Sequence, residues 1–396
     1  MYSKFPVFIS HFQPMRPPHA NTQAYGLDWL VEAHTRAEAS VQKGQTGFDA
    51  ERFRQQIRRY ITHFGCKPDR IGSRGSALED FCHLDWDRMR IYRLHESPEG
   101  AGMDERTRFY GEAVGRLFEA LYPEGSAAPE DLIHVTCTGY VAPSGAQRLI
   151  ERRGWHRTTT VTHAYHMGCY AAVPSLRMAA GFLAASHMSN GAGGSKRRAD
   201  IVHTELCTLH LNPAQHTAEQ LVVQSLFADG CIRYSALTED EFAARPAPGF
   251  ELLAAHEEVV PASHEAMTWQ CVNWGMQIGL SRGVPGLIAD ALAGFMEALF
   301  ARAGLSYAEA GGSAVVAVHP GGPKIIEKVQ ECLGLSPAQV AESKQVLFDY
   351  GNMSSATLPH VWDRIARSPA YPAGTCVASV AFGPGLSICG SLLRKV

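Results

Sequence analysis

Apolar positions along the chain switch between two spacings, and the switches mark out strands and helices. Phe5 to Ser10 is a continuous apolar run that predicts a strand, and after a Pro-rich turn helical spacing takes over from Thr22 to Gln42. A second helix, Phe48 to Phe64, carries Arg52, Arg54, Arg58 and Arg59 and reads as a solvated face. Gly72-Ser73-Arg74-Gly75 and Asp85-Trp86-Asp87 lie in polar sequence and are expected to be loops. Phe109, Ala113, Leu117, Phe118 and Leu121 recur at helical spacing within Glu105 to Tyr122.

From Asp131 the texture becomes a regular alternation. Strands are predicted at Leu132 to Thr136, Thr158 to His163 and Asp200 to Thr208, with helices at Ala146 to Arg153 and from Cys169 onward, and a glycine-rich loop at Ser189 to Ser195. This order predicts an α/β fold with a largely parallel sheet. The Pro- and Gly-rich stretch Ala244 to Gly249 separates an N-terminal half, residues 1–243, from a C-terminal half, residues 250–396. The second half repeats the pattern: helix Pro285 to Ala303, strand Ser313 to Val318, a His-Pro-Gly-Gly turn, helix Pro323 to Leu333, and two strands within Cys376 to Ser391.

Composition narrows the class. The 396 residues are 45% apolar and 19% charged, which excludes disorder and allows two or three domains at roughly 150 residues each. A net charge of -3 argues against an extended nucleic-acid partner, while leaving room for a small anionic ligand. The ten cysteines contain no CxxC and read as reduced thiols. Met1 to Pro18 lacks the basic flank and apolar core of a secretory signal. The longest mainly apolar run, Tyr165 to Met188, has Arg177 near its centre, which costs about 2.5 to 3.5 kcal/mol in a bilayer. A cytoplasmic protein with no membrane association is expected.

Three residues carry candidate chemistry. Cys169 follows Gly168 where a strand turns into a helix, a place where free N–H groups and the helix dipole lower a thiol's pKa. His319 ends an apolar strand and precedes Pro320-Gly321-Gly322-Pro323, whose glycines are expected to leave space and free N–H groups beside a ligand crevice. Asn352 follows Gly351 and opens a short helix that Pro359 is expected to interrupt. Taken singly, each has an ordinary explanation: a small core residue, a strand-end histidine, and an N-cap.

Together they resemble the chalcone-synthase-like, or type III, polyketide synthases. The resemblance rests on Gly168-Cys169, on Ala317 to Lys324 and on Gly351 to Thr357. It also rests on Val135 to Pro143, Leu226 to Gly230, Val284 to Ile288 and Phe382 to Leu386, in that order from about residue 130 to the end. It implies a thiolase-like fold of two α/β halves in five αβαβα layers, a homodimer, and no bound cofactor or metal. It further implies acyl-CoA and malonyl-CoA as substrates, Cys169 as the acyl carrier, and His319 and Asn352 as the decarboxylation site. Carried over by motif, Phe227 is a gating phenylalanine and Glu205 a buried acid behind the site, with Cys137, Thr138, Ser354 and Pro384 lining the pocket. Lys324, with Gly321 and Gly322, matches the coenzyme tunnel, and Arg58 and Lys67 occupy the region of further coenzyme-binding cations.

Some positions depart from the family pattern. Ile278 stands at a second gating phenylalanine, Trp269 at a small cavity residue, His210 at a threonine, and Ala142 at a methionine that reaches across the dimer. A cavity filled by Trp269 points away from a chalcone and toward a short polyketide such as an alkylpyrone or a resorcinol-type product. The alternative of the same fold is an initiating ketoacyl synthase making one condensation on carrier-bound substrates, so an acyl carrier protein is a candidate partner. A cysteine hydrolase normally has its nucleophile near the mature N-terminus. A zinc site would draw on His163, His166, His203, His210 and Cys207, but HxxH alone is weak evidence for one.

Overall fold

The computed structural model describes residues 5–43, 45–188 and 195–396. The predicted glycine-rich loop therefore lies, apart from Ser195, outside the described residues. In the N-terminal half the strands are β1 (Val7–Met15), β2 (His19–Thr22), β3 (Ser73–Ser76), β4 (Asp131–Thr136), β5 (Thr160–Tyr165), β6 (Arg198–Leu206) and β7 (Asp229–Thr238). Its helices are α1 (Gln23–Val41), α2 (Ala50–Phe64), α3 (Met103–Leu121), α4 (Gly145–Arg153), α5 (Ala172–Met188), α6 (Ala218–Leu226) and α7 (Glu239–Ala244). The remainder supplies β8 (Phe250–Val259), β9 (Met267–Val272), β10 (Gly275–Leu280), β11 (Val315–Val318), β12 (Cys376–Gly383) and β13 (Ser387–Lys395). Its helices are α8 (Val284–Arg302), α9 (Tyr307–Ala310), α10 (Pro323–Cys332), α11 (Ala341–Tyr350) and α12 (Thr357–Arg367).

Nine strands form one sheet in the order β11-β12-β13-β8-β1-β7-β6-β4-β5, so strands from before residue 239 lie to one side and strands from after residue 249 to the other. The seam between them is short, Phe8 opposite Glu251 and Ile9 opposite Phe250. The expectation of a largely parallel sheet is corrected: β4 runs parallel to β5 and β6, and β11 to β12, while the five other pairings are antiparallel. The physical reason is connection length, because β12 and β13 are joined by a tight Gly-Pro-Gly turn that only antiparallel partners allow.

Three apolar clusters give the layers. One fills the space between the two halves, where α5 (Leu176, Ala179, Leu183) and α12 (Leu358, Val361, Trp362, Ile365) meet inward-facing strand residues such as Ile201 and Val377. A second lies under α1, α3 and α4 on the outer face of the first half, and a third under α8 and α10 on the outer face of the second. Outer helices, strands, central helices, strands and outer helices make the five layers. Among the described residues α8 is the one helix long and apolar enough to cross a bilayer, and its Leu292, Phe295, Leu299 and Phe300 are buried in the third cluster.

Two local expectations change. Ser73–Ser76 is not a loop but a short strand paired antiparallel with His19–Thr22. Pro359 does not interrupt its helix, because it is the third residue of α12, where no intrahelical N–H bond is lost. The strand predicted at Thr158 to His163 is displaced by two residues, to Thr160–Tyr165, which brings its end next to the Gly168 turn.

Candidate active site

Cys169 lies in a single 3-10 turn, Gly168–Tyr170, ahead of α5. Gly168 has φ 74°, and a Cβ there would stand 2.7 Å from Cδ of Pro384, so a glycine is needed for the β12–β13 turn to reach the thiol's neighbour. Asn352 is held by backbone on both sides, its N–H donating to the Leu226 carbonyl and its carbonyl accepting from Ala228 N–H, each at 2.9 Å. Gly351 before it has φ 75°, and a side chain there would press on the Leu226 carbonyl at 3.0 Å. His319 continues β11, its N–H donating to the Val380 carbonyl at 2.8 Å.

The Asn352 amide has a determined orientation. Its Oδ1 accepts from Ser354 N–H at 2.9 Å, which leaves Nδ2 to donate to the Gly321 carbonyl at 3.2 Å and, with its second hydrogen, toward the Cys169 thiol. Gly321 N–H donates to the His319 carbonyl, so it is not the free donor expected of this turn, because the tight bend folds it back on its own chain. Among the described residues, both ring nitrogens of His319 are buried and have no hydrogen-bond partner.

The thiol faces hydroxyls rather than a cation. Cys169 Sγ is 3.7 Å from Ser354 Oγ, which is 3.2 Å from Cys137 Sγ, which is 3.5 Å from Glu205 Oε2. Burial pushes the Cys169 thiol up to about 12, with hydrogen bonds from Ser354 and Asn352 opposing. Burial pushes His319 down to about 3. Both shifts favour the uncharged forms, a neutral thiol and a neutral imidazole. Desolvation penalises both charged forms, and no hydrogen bond joins the two to offset it.

Glu205 is fully buried behind this row. It accepts from Thr138 Oγ1 at 2.9 Å, from Cys137 N–H at 3.1 Å and from the Ser355 hydroxyl, which itself receives His203 Nδ1 at 3.0 Å. Burial raises its pKa, and the hydrogen bonds oppose the rise. On the other wall, Phe227, Cys207 and Val223 pack with Cys169, Ile278 and Leu280. The β9–β10 hairpin pairs Trp269 with Ile278, and the Trp269 indole N–H donates to the Cys137 carbonyl at 2.7 Å. His210 Nε2 donates to the Thr138 carbonyl at 2.8 Å while Nδ1 accepts Met276 N–H at 3.1 Å, which holds a neutral tautomer and ties the hairpin to the cavity floor.

Cys169, Asn352, Cys137, Thr138, Glu205, His210, Phe227, Trp269, Ile278, Ser354 and Pro384 thus belong to one connected neighbourhood, which His319, Gly321 and Gly322 border. Lys324 is exposed at the start of α10. The loop with Lys67 is tied to α6, Cys66 N–H donating to Ser225 Oγ at 2.8 Å, and Gly322 touches the next residue, Leu226. Arg58 is instead paired with Asp28 at 2.6 Å, both exposed. Sequence reasoning missed Arg74, whose Nη1 donates to the carbonyls of Gln224 and Phe227 and so holds the end of α6 beside Asn352. It also missed Cys207 as a cavity wall, although its position two residues after Glu205 was a signal.

The histidines considered for zinc go to separate partners: His163 to Ser144, His166 to Tyr140, His203 to Ser355 and Tyr234, and His210 as above. Among the described residues, no group of three His, Cys, Asp or Glu side chains is arranged for a metal ion.

The sequence profile of chalcone and stilbene synthases, C-terminal domain, matches residues 251–396. Bisdemethoxycurcumin synthase of Oryza sativa subsp. japonica is 31% identical over 351 residues, 85% of this chain and 84% of that protein. Probable polyketide synthase 1 of Dictyostelium discoideum is 31% identical over 267 residues, 67% of this chain, and the match spans 8% of that much longer protein. Among solved structures, the C-terminal type III polyketide synthase domain of Steely1, a type I/III hybrid from Dictyostelium, superposes with a TM-score of 0.79 at 24% identity over 99% of both chains. That likeness shows a shared, thiolase-like fold.

Proposed function

Because the chain belongs to the type III polyketide synthase family of chalcone- and stilbene-synthase-like condensing acyltransferases, we propose that it loads an acyl starter on Cys169 and extends it with malonyl thioester to a short polyketide. The observation that carries the reading is a chain of neighbours: the Cys169 thiol meets Ser354 and the Asn352 amide, and the amide donates to Gly321, which adjoins the His319 ring and its two unpartnered nitrogens.

As Cys169 Sγ attacks the starter carbonyl its proton passes to His319, whose ring nitrogens have no other partner. The adduct expels the coenzyme thiolate, which takes a proton from water, and an acyl-thioester beside an imidazolium remains. Malonyl thioester then loses CO2, and the electron pair of the broken C–C bond becomes an enolate. Its oxygen is met by the imidazolium N–H and by the Asn352 N–H that faces the Cys169 thiol at rest. The enolate carbon attacks the acyl carbonyl, a C–C bond forms, and Cys169 leaves as a thiolate paired with His319. Trp269, anchored on the Cys137 carbonyl, takes up cavity space and supports a short product of the alkylpyrone or resorcinol type. The reading includes two halves, 1–243 and 250–396, in a homodimer, and a coenzyme rim at Lys324.

The test is intact-mass and product mass spectrometry with malonyl-CoA and a panel of acyl-CoA starters. Wild-type chain should carry the acyl adduct and release products containing two or more malonyl units. Cys169→Ala should lose the adduct and condensation while still releasing CO2 from malonyl-CoA. Condensation retained by Cys169→Ala would sink the assignment, and products with one malonyl unit would transfer it to a single-step ketoacyl synthase.

A further inference from the structure

Strand β6 ends at the Cys169 cavity and begins at another. A solvent-open cavity of about 230 Å³ there is lined by His11, Arg198, Arg233, Ser235, Glu241 and Arg245, among others. It lies eight residues back along β6 from Leu206, roughly 26 Å at strand rise. Arg233, Ser235 and Leu237 alternate along β7 and face outward, whereas Tyr234 and Ala236 face the central helices. Arg198 joins them from β6, where it sits opposite Leu237.

His11 arrives through a distortion. Between Ser10 and Gln13, β1 carries one residue more than the facing stretch of β7, and His11 has φ 56°. A bulge re-aims a side chain, and a non-glycine residue in this region costs on the order of 1 kcal/mol. Ser10 Oγ holds Nδ1 at 2.8 Å, and among the described residues no hydrogen bond engages Nε2.

The cations here are only partly spent. Arg198 gives Nε and Nη2 to the buried Asp200 at 2.7 and 2.6 Å, which leaves Nη1. Arg233 stacks over Tyr122 at 4.5 Å and donates Nη1 to the Leu121 carbonyl at 2.7 Å, while its Nε is buried without a partner. Glu241 is shared by Arg245 and, at 3.7 Å, Arg197. The lining itself holds three guanidiniums, those of Arg198, Arg233 and Arg245, and one carboxylate, Glu241, while Asp200 and Glu130 sit behind it at Arg198.

We propose that this cavity binds the phosphate group of a small metabolite. A planar carboxylate is satisfied by a single guanidinium fork, whereas donors converging from β1, β6, β7 and the segment after α7 suit a tetrahedral dianion. The site is independent of the chemistry assigned to Cys169.

Isothermal titration of the whole chain with inorganic phosphate and with pyrophosphate tests the site, with citrate as a polycarboxylate comparator. Saturable binding of the phosphate probes, tighter than citrate, is expected. Arg245→Gln, at a side chain 56% exposed, should fold normally and weaken that binding by about tenfold, the size of one lost charge-assisted contact. His11→Ala should weaken it as well. The proposal is overturned by absence of saturable binding, by equal affinity in wild type and both cavity variants, or by citrate binding as tightly.

Discussion

Two carboxylates five residues apart on β6, Asp200 and Glu205, are both completely buried and sit at opposite ends of the same strand. Asp200 meets the Arg198 guanidinium, Tyr122 OH at 2.8 Å and Ser235 Oγ at 2.7 Å. Burial alone would raise its pKa, but the charge and hydrogen bonds of Arg198 reverse the shift and hold it below the ordinary carboxylate range. Glu205 meets thiol, hydroxyl and amide donors and no cation, so burial prevails and its pKa rises. One strand thus carries a charge-balanced end and an end without counter-charge, and the second lies behind the Cys169 thiol. A buried acid is diagnosed by its partners, because burial is the same at both ends.

Removing the charge at the balanced end should cost most. Asp200→Asn leaves Arg198, whose side chain is 14% exposed, without its counter-charge, and a loss of about 3 to 5 kcal/mol of unfolding free energy is expected in urea titrations. The wild-type contribution is present above the unfolded pKa near ~3.9 and disappears as pH falls through the lower folded value. A loss below about 1 kcal/mol would erase the distinction between the ends.

At the reactive end the larger effect should be kinetic. Asn352→Ala removes one of the two donors for the enolate oxygen, and malonyl decarboxylation should fall by roughly 10² to 10³, measured as CO2 release with stability checked in parallel. An unchanged rate would remove Asn352 from the reaction.

The smallest effect is expected for Glu205→Gln, which keeps an acceptor and places no charge in the cavity. Its unfolding free energy should change by about 1 kcal/mol or less near pH 7. The sign of the pH dependence is opposite to that of Asp200. A carboxyl with a raised folded pKa contributes its full stability below the unfolded value of about 4.3 and loses it as pH rises through the folded value. Wild-type stability should therefore decline relative to the Gln variant across that window, and parallel profiles would show that Glu205 is not raised.

Much of this was legible before any coordinates. The helices from Thr22, Glu105, Ala146, Pro285 and Pro323 appear within about three residues of their predicted limits, because each presents an uninterrupted apolar stripe. The strands predicted at Leu132, Asp200 and Ser313 also appear, being short β-branched runs between turn signals. The direction of the strands was not legible, since parallel and antiparallel partners use the same residues and differ in pairing. The Ser73–Ser76 strand was hidden too, because its polar side chains carry no period and its stability comes from pairing with His19–Thr22.

By itself the sequence determined the alternation of elements, the family resemblance and the candidates Cys169, His319 and Asn352, all of which are local properties of residue type and order. Tertiary structure alone decided that burial pushes the Cys169 thiol up and His319 down, that Ser354 and Cys137 link the thiol to Glu205, and that Trp269 is pinned to the Cys137 carbonyl. It also decided that a bulge at His11 gathers arginines from distant segments around one cavity. The reason is that pKa values and binding sites depend on desolvation and on through-space neighbours. Those neighbours exist only after distant segments have packed together, as with Cys137 and Ser354, 217 residues apart.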